Sequence, residues 1–184
     1  AKPGLNNSQF FANFNASKMS LGLNMAHPAA RAIAKRLCLE WADVITEGFT
    51  PKQMREWGLH YDDLSPTRPD LIMVSTCQLG QTGPYAKYAG YGNMAASLAG
   101  YYEITGWADR GPCMVYGAYT DMLTPGVGAS LVAASLDYRH RTGKGQWIDL
   151  SQFEIGVNHL PVAVLDYAVN GRVASRCGNQ DARA

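Results

Sequence analysis

The run LIMVS, Leu71 to Ser75, constrains the fold of this chain most. An apolar strand with no polar alternation has no face to give to solvent, and such runs typify central parallel strands covered on both sides. Helix and strand signals alternate around it. Upstream, Met19 to Met25 (MSLGLNM) reads as a short strand. Pro28 then opens PAARAIAKRLCLEWA, where Ile33, Leu37 and Trp41 share one helical face, with the proline in the tolerated first turn. Ala42 to Thr46 reads as a brief buried strand, and Pro51 to Trp57 as a short helix ended by Gly58. Downstream, a small-residue helix is expected over Met94 to Tyr101 and a long one over Met122 to Arg139. The long one is rich in Gly126, Gly128, Ala129, Ser130, Ala133 and Ala134, so it can pack very close to a neighbour. RTGKGQ, residues 141–146, is a turn, and Trp147 to Leu150 a last strand. Ser151 and Glu154 form a capping box for a helix running to Pro161 or slightly beyond. The tail NGRVASRCGNQDARA shows neither periodicity nor an apolar cluster. This order predicts an α/β fold with a doubly wound, mostly parallel sheet.

Composition narrows the function classes. A chain of 184 residues suffices for one domain with a sizeable core and is too short to promise two. A charged fraction of 17% and a formal charge of +1, with Lys and Arg dispersed among acids, give nucleic-acid binding little support. No apolar run approaches the roughly 20 residues of a membrane span, and AKPGLNNSQFF lacks the order of a signal peptide, so a cytoplasmic protein without membrane contact is expected. Cys38, Cys77, Cys113 and Cys177 form no CxxC, and His27, His60, His140 and His159 form no HExxH. No metal site is expected.

The loop CQLGQTGPYAKYAGYG lies beyond the C-terminal end of the LIMVS strand, where open α/β sheets bind ligands. Gly126 and Gly128 lack the third glycine and the feeding strand of a dinucleotide fingerprint, and close helix packing explains them better. Lys144 between two glycines lacks the spacing of a phosphate loop and reads as a surface turn. Asp121 stands where the long helix begins. Taken alone it reads first as an N-cap, but Pro125 can place the cap at Thr124 and leave Asp121 free. A carboxylate there sits in the positive field of the helix N-terminus and is a usable nucleophile.

Three segments together resemble one family, the class III coenzyme A transferases (the CaiB/BaiF family). SKMSLGLNMAHPAARAIAKRLCLEWADVITEGFTPKQMREWGLHYDDL is similar to its stretch NxxKxSxxLDM…P…ADVxxENFxPGxxxxxGLxYxxL. CQLGQTGPYAKYAGYGNMAASLAG resembles the next block, and AYTDMLTPGVGASLVAASLDYRHRTGKGQWIDLSQFE the catalytic-aspartate helix followed by RxxTGxGQxVDVSxxE. The resemblance implies a Rossmann-like large domain that binds coenzyme A as substrate, with no prosthetic group, and an interlocked homodimer acting on acyl-CoA and small carboxylic acids. It places residues 1–160 in that domain and residues 161–184 at the start of a linker to a second one. It implies Asp121 as the nucleophile of a ping-pong reaction through a mixed anhydride and an aspartyl-CoA thioester. Coenzyme A contacts are implied for Leu23, Asn24, Met25 and Ala26, for Gly48 and Phe49, and for Lys87 and Tyr91.

Family members begin earlier and carry a glycine-rich oxyanion loop further along, so activity of this stretch alone is in question. Gly48 replaces the usual Asn, and Glu56 stands where Arg is common. Racemases of 2-methylacyl-CoA share the fold and the aspartate but resemble a pattern with GHD at Gly90 to Gly92. Tyr91 occupies the place of their histidine, and a phenol is a poor base for α-proton transfer. A non-catalytic coenzyme A-binding or structural remnant is the other alternative.

Overall fold

A computed structural model of the chain describes residue 4 and residues 7–180. The elements, in order, are α1 (Gln9–Phe14), α2 (Pro28–Glu40), β1 (Val44–Glu47), α3 (Pro51–Trp57), α4 (Tyr61–Leu64), β2 (Ile72–Cys77), α5 (Gly92–Leu98), α6 (Tyr101–Ile104), α7 (Tyr119–Thr142), β3 (Gln146–Ser151), α8 (Gln152–Asn158) and α9 (Pro161–Asn170). The last four residues of the expected featureless tail lie outside the described residues.

The strands form one parallel sheet in the order β1-β2-β3. The central strand is the expected apolar run: Leu71, Ile72, Met73 and Val74 are all buried. Alternation along β2 separates two cores. Ile45, Met73 and Trp147, aligned across the sheet, pack with Met54 and Trp57 of α3 and with Ala34 and Cys38 of α2. Val74, Leu150 and Ile148 pack on the opposite face with Leu123, Val127, Leu131 and Val132 of α7 and Ile155 of α8. Helices therefore cover both faces, as a doubly wound sheet requires.

Local chemistry explains most boundaries. Pro28 and Pro51 each open a helix. Gly58 and Gly143 close α3 and α7 in the left-handed conformation, at φ 68° and 72°. Ser151 caps α8 by accepting from the Glu154 amide at 3.3 Å. Arg68 ties the entry of β2 to the end of α2: it donates to the Leu39 carbonyl at 2.8 Å and grips both Asp70 oxygens at 2.9 and 3.0 Å.

That grip predicts an acid sensitivity. Its hydrogen bonds from Arg68 hold the Asp70 carboxyl below the usual carboxylate range. Because the folded-state value is the lower one, its stabilisation is complete above the unfolded carboxyl's pKa and fades as pH falls through the folded value. Asp70 is 40% exposed, so solvent screens the pair. Arg68→Met should cost about 1 kcal/mol at pH 7 and much less near pH 2, read by urea unfolding at both. An equal cost at both would refute the pairing.

Four expectations need correction. Residues 19–24 form no strand: Asn24 Oδ1 accepts from the Ala26 amide at 3.1 Å in an Asx turn, and Arg31 takes the Met25 carbonyl at 2.7 Å and the Ala26 carbonyl at 3.2 Å. The small-residue helix is two pieces, α5 and α6, parted at Gly100 with φ 97°. Pro161 opens α9 instead of ending α8. Of the two glycines read as packing residues, only Gly128 meets a neighbour: a methyl group there would lie 3.4 Å from Leu150, whereas Gly126 faces open space.

Candidate active site

Topology alone gathers the expected site. In a parallel sheet the segments after β1, β2 and β3 all leave at one edge, and helices feeding those strands start at that same edge. Gly48 and Phe49 follow β1, Lys87 and Tyr91 follow β2, Leu23 to Ala26 precede α2, and Asp121 lies in the first turn of α7. All nine predicted site residues share this C-terminal edge.

Asp121 is not the cap. Ala118 is, and Asp121 is the third residue of α7, part-buried, with its amide bonded to the Ala118 carbonyl at 3.0 Å. Thr124 is no cap either, for its hydroxyl donates back to the Thr120 carbonyl at 2.7 Å. Pro125 lies inside the helix and has no N–H to give the Asp121 carbonyl four residues back. The Asp121 carboxylate accepts a hydrogen bond at Oδ1 from Gln152 Nε2 at 2.7 Å. Among the described residues Oδ2 has no partner. Asp121 and Gln152 line a groove of about 420 Å³ between α7 and the sheet, walled also by Thr46, Val74, Thr76 and Gly128.

Gly92 seats the N-terminus of α5 against this turn. A methyl group on it would lie 2.7 Å from Asp121 Cγ and from the Asp121 amide nitrogen, closer than real carbon contacts allow. The preceding loop is pinned from below: Gln78, 7% exposed, donates to the Tyr91 carbonyl at 2.6 Å, and Asp149 within β3 accepts the Gln81 amide at 2.9 Å. Tyr91 itself extends its ring into solvent at 77% exposure. Gly92→Ala should push the carboxylate aside and lower turnover about 10²-fold, as misplacement by about 1 Å does. Steady-state kinetics would show it, and unchanged kcat would mean that the helix ends yield freely.

The β1 exit is held by Glu47, 8% exposed, whose Oε2 accepts the Phe49 amide at 2.7 Å, and by the Phe49–Trp57 edge contact at 5.1 Å. Nothing requires glycine at 48: an added methyl group would lie 3.7 Å from the Thr76 carbonyl, an ordinary contact. Lys87 is exposed. Leu23 to Ala26 form the Arg31-anchored turn, with Met25 packed under it against the sheet core.

Cys77 is a rival nucleophile at this edge. Burial, with the Asp149 carboxylate adding to it, pushes its thiol up, so less of the reactive thiolate is present. A larger hollow of about 660 Å³, lined by Tyr85, Tyr88, Met94 and Phe153, opens nearby. Its carboxylate, Glu154, is exposed on α8. The smaller groove is the one that holds a part-buried carboxylate, Asp121, anchored by Gln152. Among the described residues no group of His, Cys, Asp and Glu could hold a metal ion, and no helix is long and apolar enough to cross a membrane.

Sequence reading missed Gln152, Thr120 and Gln78. Thr120, fully buried, donates to the Gly92 carbonyl at 2.8 Å and so locks α5 to α7. Only its place beside Asp121 could have signalled it.

Fold and site together define an α/β protein that presents a helix-borne carboxylate at the ligand-binding edge of a parallel sheet. The chain belongs to CoA-transferase family III, whose pattern matches residues 2–184. It is 32% identical over 163 residues to the succinyl-CoA–D-citramalate CoA-transferase of Chloroflexus aurantiacus, covering 89% of this chain and 40% of that protein. It is 34% identical over 174 residues to the acetyl-CoA:oxalate CoA-transferase of Acetobacter aceti, covering 94% and 44%. A crystal structure of a CaiB/BaiF family protein from Brucella suis superimposes with a TM-score of 0.85 at 34% identity, covering 91% of this chain and 45% of that one. The chain thus spans less than half the length of these relatives.

Proposed function

We propose that the full-length protein transfers coenzyme A from an acyl-CoA to a carboxylic acid, with Asp121 as the covalent nucleophile. One observation carries this reading: the Asp121 carboxylate is held by Gln152 through one oxygen while the other, unpartnered among the described residues, lies at a groove on the ligand-binding edge. A carboxylate so placed can attack a thioester, and an acyl anhydride keeps the thioester's energy for the return step. Leu23 to Ala26, Gly48, Phe49, Lys87 and Tyr91 serve as coenzyme A contacts in this reading, since all lie at that edge. Residues 1–160 are part of the coenzyme A-binding domain, residues 161–184 start the linker, and the protein works as a homodimer. Gly48 gives up a side-chain contact that the fold has room for.

The racemase alternative is not favoured. The Chloroflexus aurantiacus and Acetobacter aceti relatives are CoA-transferases, and Tyr91 offers an exposed phenol in place of a histidine base.

Mass spectrometry of the full-length protein after mixing with succinyl-CoA tests the proposal. An adduct on Asp121 is expected. An adduct on another residue, or α-deuteration in heavy water without an acceptor acid, would overturn it.

A further inference from the structure

A second group touches the Asp121 carboxylate, and neither the resemblance nor the relatives assign it a role. Gln152 is the first residue of α8, one step beyond the end of β3. Its Nε2 donates to Asp121 Oδ1 at 2.7 Å, and its Oε1 lies 3.4 Å from the buried Thr120 hydroxyl. The amide cannot be turned over while Asp121 is a carboxylate, because two acceptor oxygens would then meet at 2.7 Å. Strand β3 and the Ser151 cap fix where α8 starts, so the donor is set in place before substrate arrives.

We propose that Gln152 is an oxyanion donor for the second step of the reaction, in which the coenzyme A sulfur attacks the aspartyl carbon. The proposal rests on Asp121 being the nucleophile. In the first step an Oδ2 lone pair attacks the thioester carbonyl carbon and that carbonyl's π pair moves onto its own oxygen. Collapse breaks the carbon–sulfur bond, releasing the thiolate and leaving an acyl anhydride bonded through Oδ2. In the second step the thiolate attacks Asp121 Cγ, and the Cγ–Oδ1 π pair moves onto Oδ1. Collapse breaks Cγ–Oδ2, so the donor acid departs as a carboxylate carrying Oδ2 and the enzyme keeps Oδ1 in a thioester. No proton is needed in either step.

Charge on Oδ1 decides where Gln152 acts. The carboxylate shares one negative charge between two oxygens, the anhydride carbonyl is neutral, and the tetrahedral adduct places a full charge on Oδ1. A hydrogen bond strengthens with the charge of its acceptor. The Gln152 bond is therefore weakest in the anhydride and strongest in the adduct that follows. It lowers the barrier of the second step and does not assist the first, because it favours the starting carboxylate over the anhydride.

Rapid quench of the full-length protein with succinyl-CoA, followed by mass spectrometry of the peptide bearing Asp121, separates the steps. Methionine matches glutamine in length and donates nothing. Gln152→Met should slow the second step about 10²-fold, the loss typical of one oxyanion donor. The wild-type peptide should carry coenzyme A, and the variant peptide the acyl group. The ratio of the two adducts is taken within the folded, reacted molecules, so reduced folding of the variant does not disturb it. An unchanged ratio, or equal slowing of both steps, would overturn the proposal while Asp121 stands. No adduct on Asp121 in the wild type would overturn both.

Discussion

Asp121→Asn is expected to lower kcat of the full-length protein by about 10⁴-fold or more, the scale of losing a covalent nucleophile. The substitution is nearly isosteric. An asparagine Oδ1 still accepts from Gln152, and the Thr120 bond to the Gly92 carbonyl is untouched. What disappears is the second carboxylate oxygen, replaced by an amide nitrogen whose lone pair is delocalised and does not attack a thioester. The loss should therefore fall on kcat far more than on KM. Stability separates this outcome from a structural role. As third residue of α7, Asp121 meets the helix dipole without capping the helix, which is worth about 0.3–1 kcal/mol. A melting temperature lowered by no more than about 4 °C follows from that figure. Turnover above a tenth of wild type in Asp121→Asn, measured by following the exchange of succinyl-CoA with an acceptor acid, would refute the nucleophile.

Where the chain carries its own punctuation, sequence and structure coincide. The LIMVS run, the prolines opening α2 and α3, and Gly58 closing α3 all act through local sterics, so their meaning survives without tertiary context. The edge that gathers the candidate residues was legible for the same reason, because a parallel strand followed by a Gly-rich loop has one end where open α/β sheets bind ligands. The misses depend on tertiary partners. Residues 19–25 alternate plausibly for a strand, yet the segment ends in an Asx turn at Asn24 whose Met25 and Ala26 carbonyls are taken by Arg31. The start of α7 could not be read, because Ala118 caps it without a side-chain bond. Gln152 had no signal at all: in SQFE it looks like any first-turn residue, and only the packing of α8 beside α7 brings its amide to Asp121. Thr120 likewise shows its role only through the Gly92 carbonyl, 28 residues earlier in the chain.

Gly145→Ala should destabilise the fold by about 4 kcal/mol, a large part of the roughly 5–15 kcal/mol that holds a domain together. Two glycines of the TGKGQ turn differ in why they are glycine. Gly143 closes α7 at φ 72° with nothing within 4 Å of an added methyl group, so an alanine there meets only the left-handed backbone penalty, about 1 kcal/mol. Gly145 is not in that conformation. Its amide donates to the Pro69 carbonyl at 2.8 Å and the next amide, of Gln146, to the Leu71 carbonyl at 3.0 Å, so β3 begins pressed onto the backbone entering β2. A methyl group on residue 145 would collide with the Leu71 carbonyl and come within 2.5 Å of the Asp70 carbonyl carbon. These atoms are main chain at the entry to β2, where Leu71 is fully buried, and backbone there cannot yield as a flexible side chain would. Relief requires separating β3 from β2, the pairing on which both cores rest. The turn lies at the N-terminal edge of the sheet, opposite Asp121. Molecules of Gly145→Ala that remain folded should therefore keep near-normal kcat, while the urea midpoint falls well below that of Gly143→Ala. Equal midpoints for the two variants, or a folded Gly145→Ala protein without turnover, would show that this turn serves the site and not the sheet.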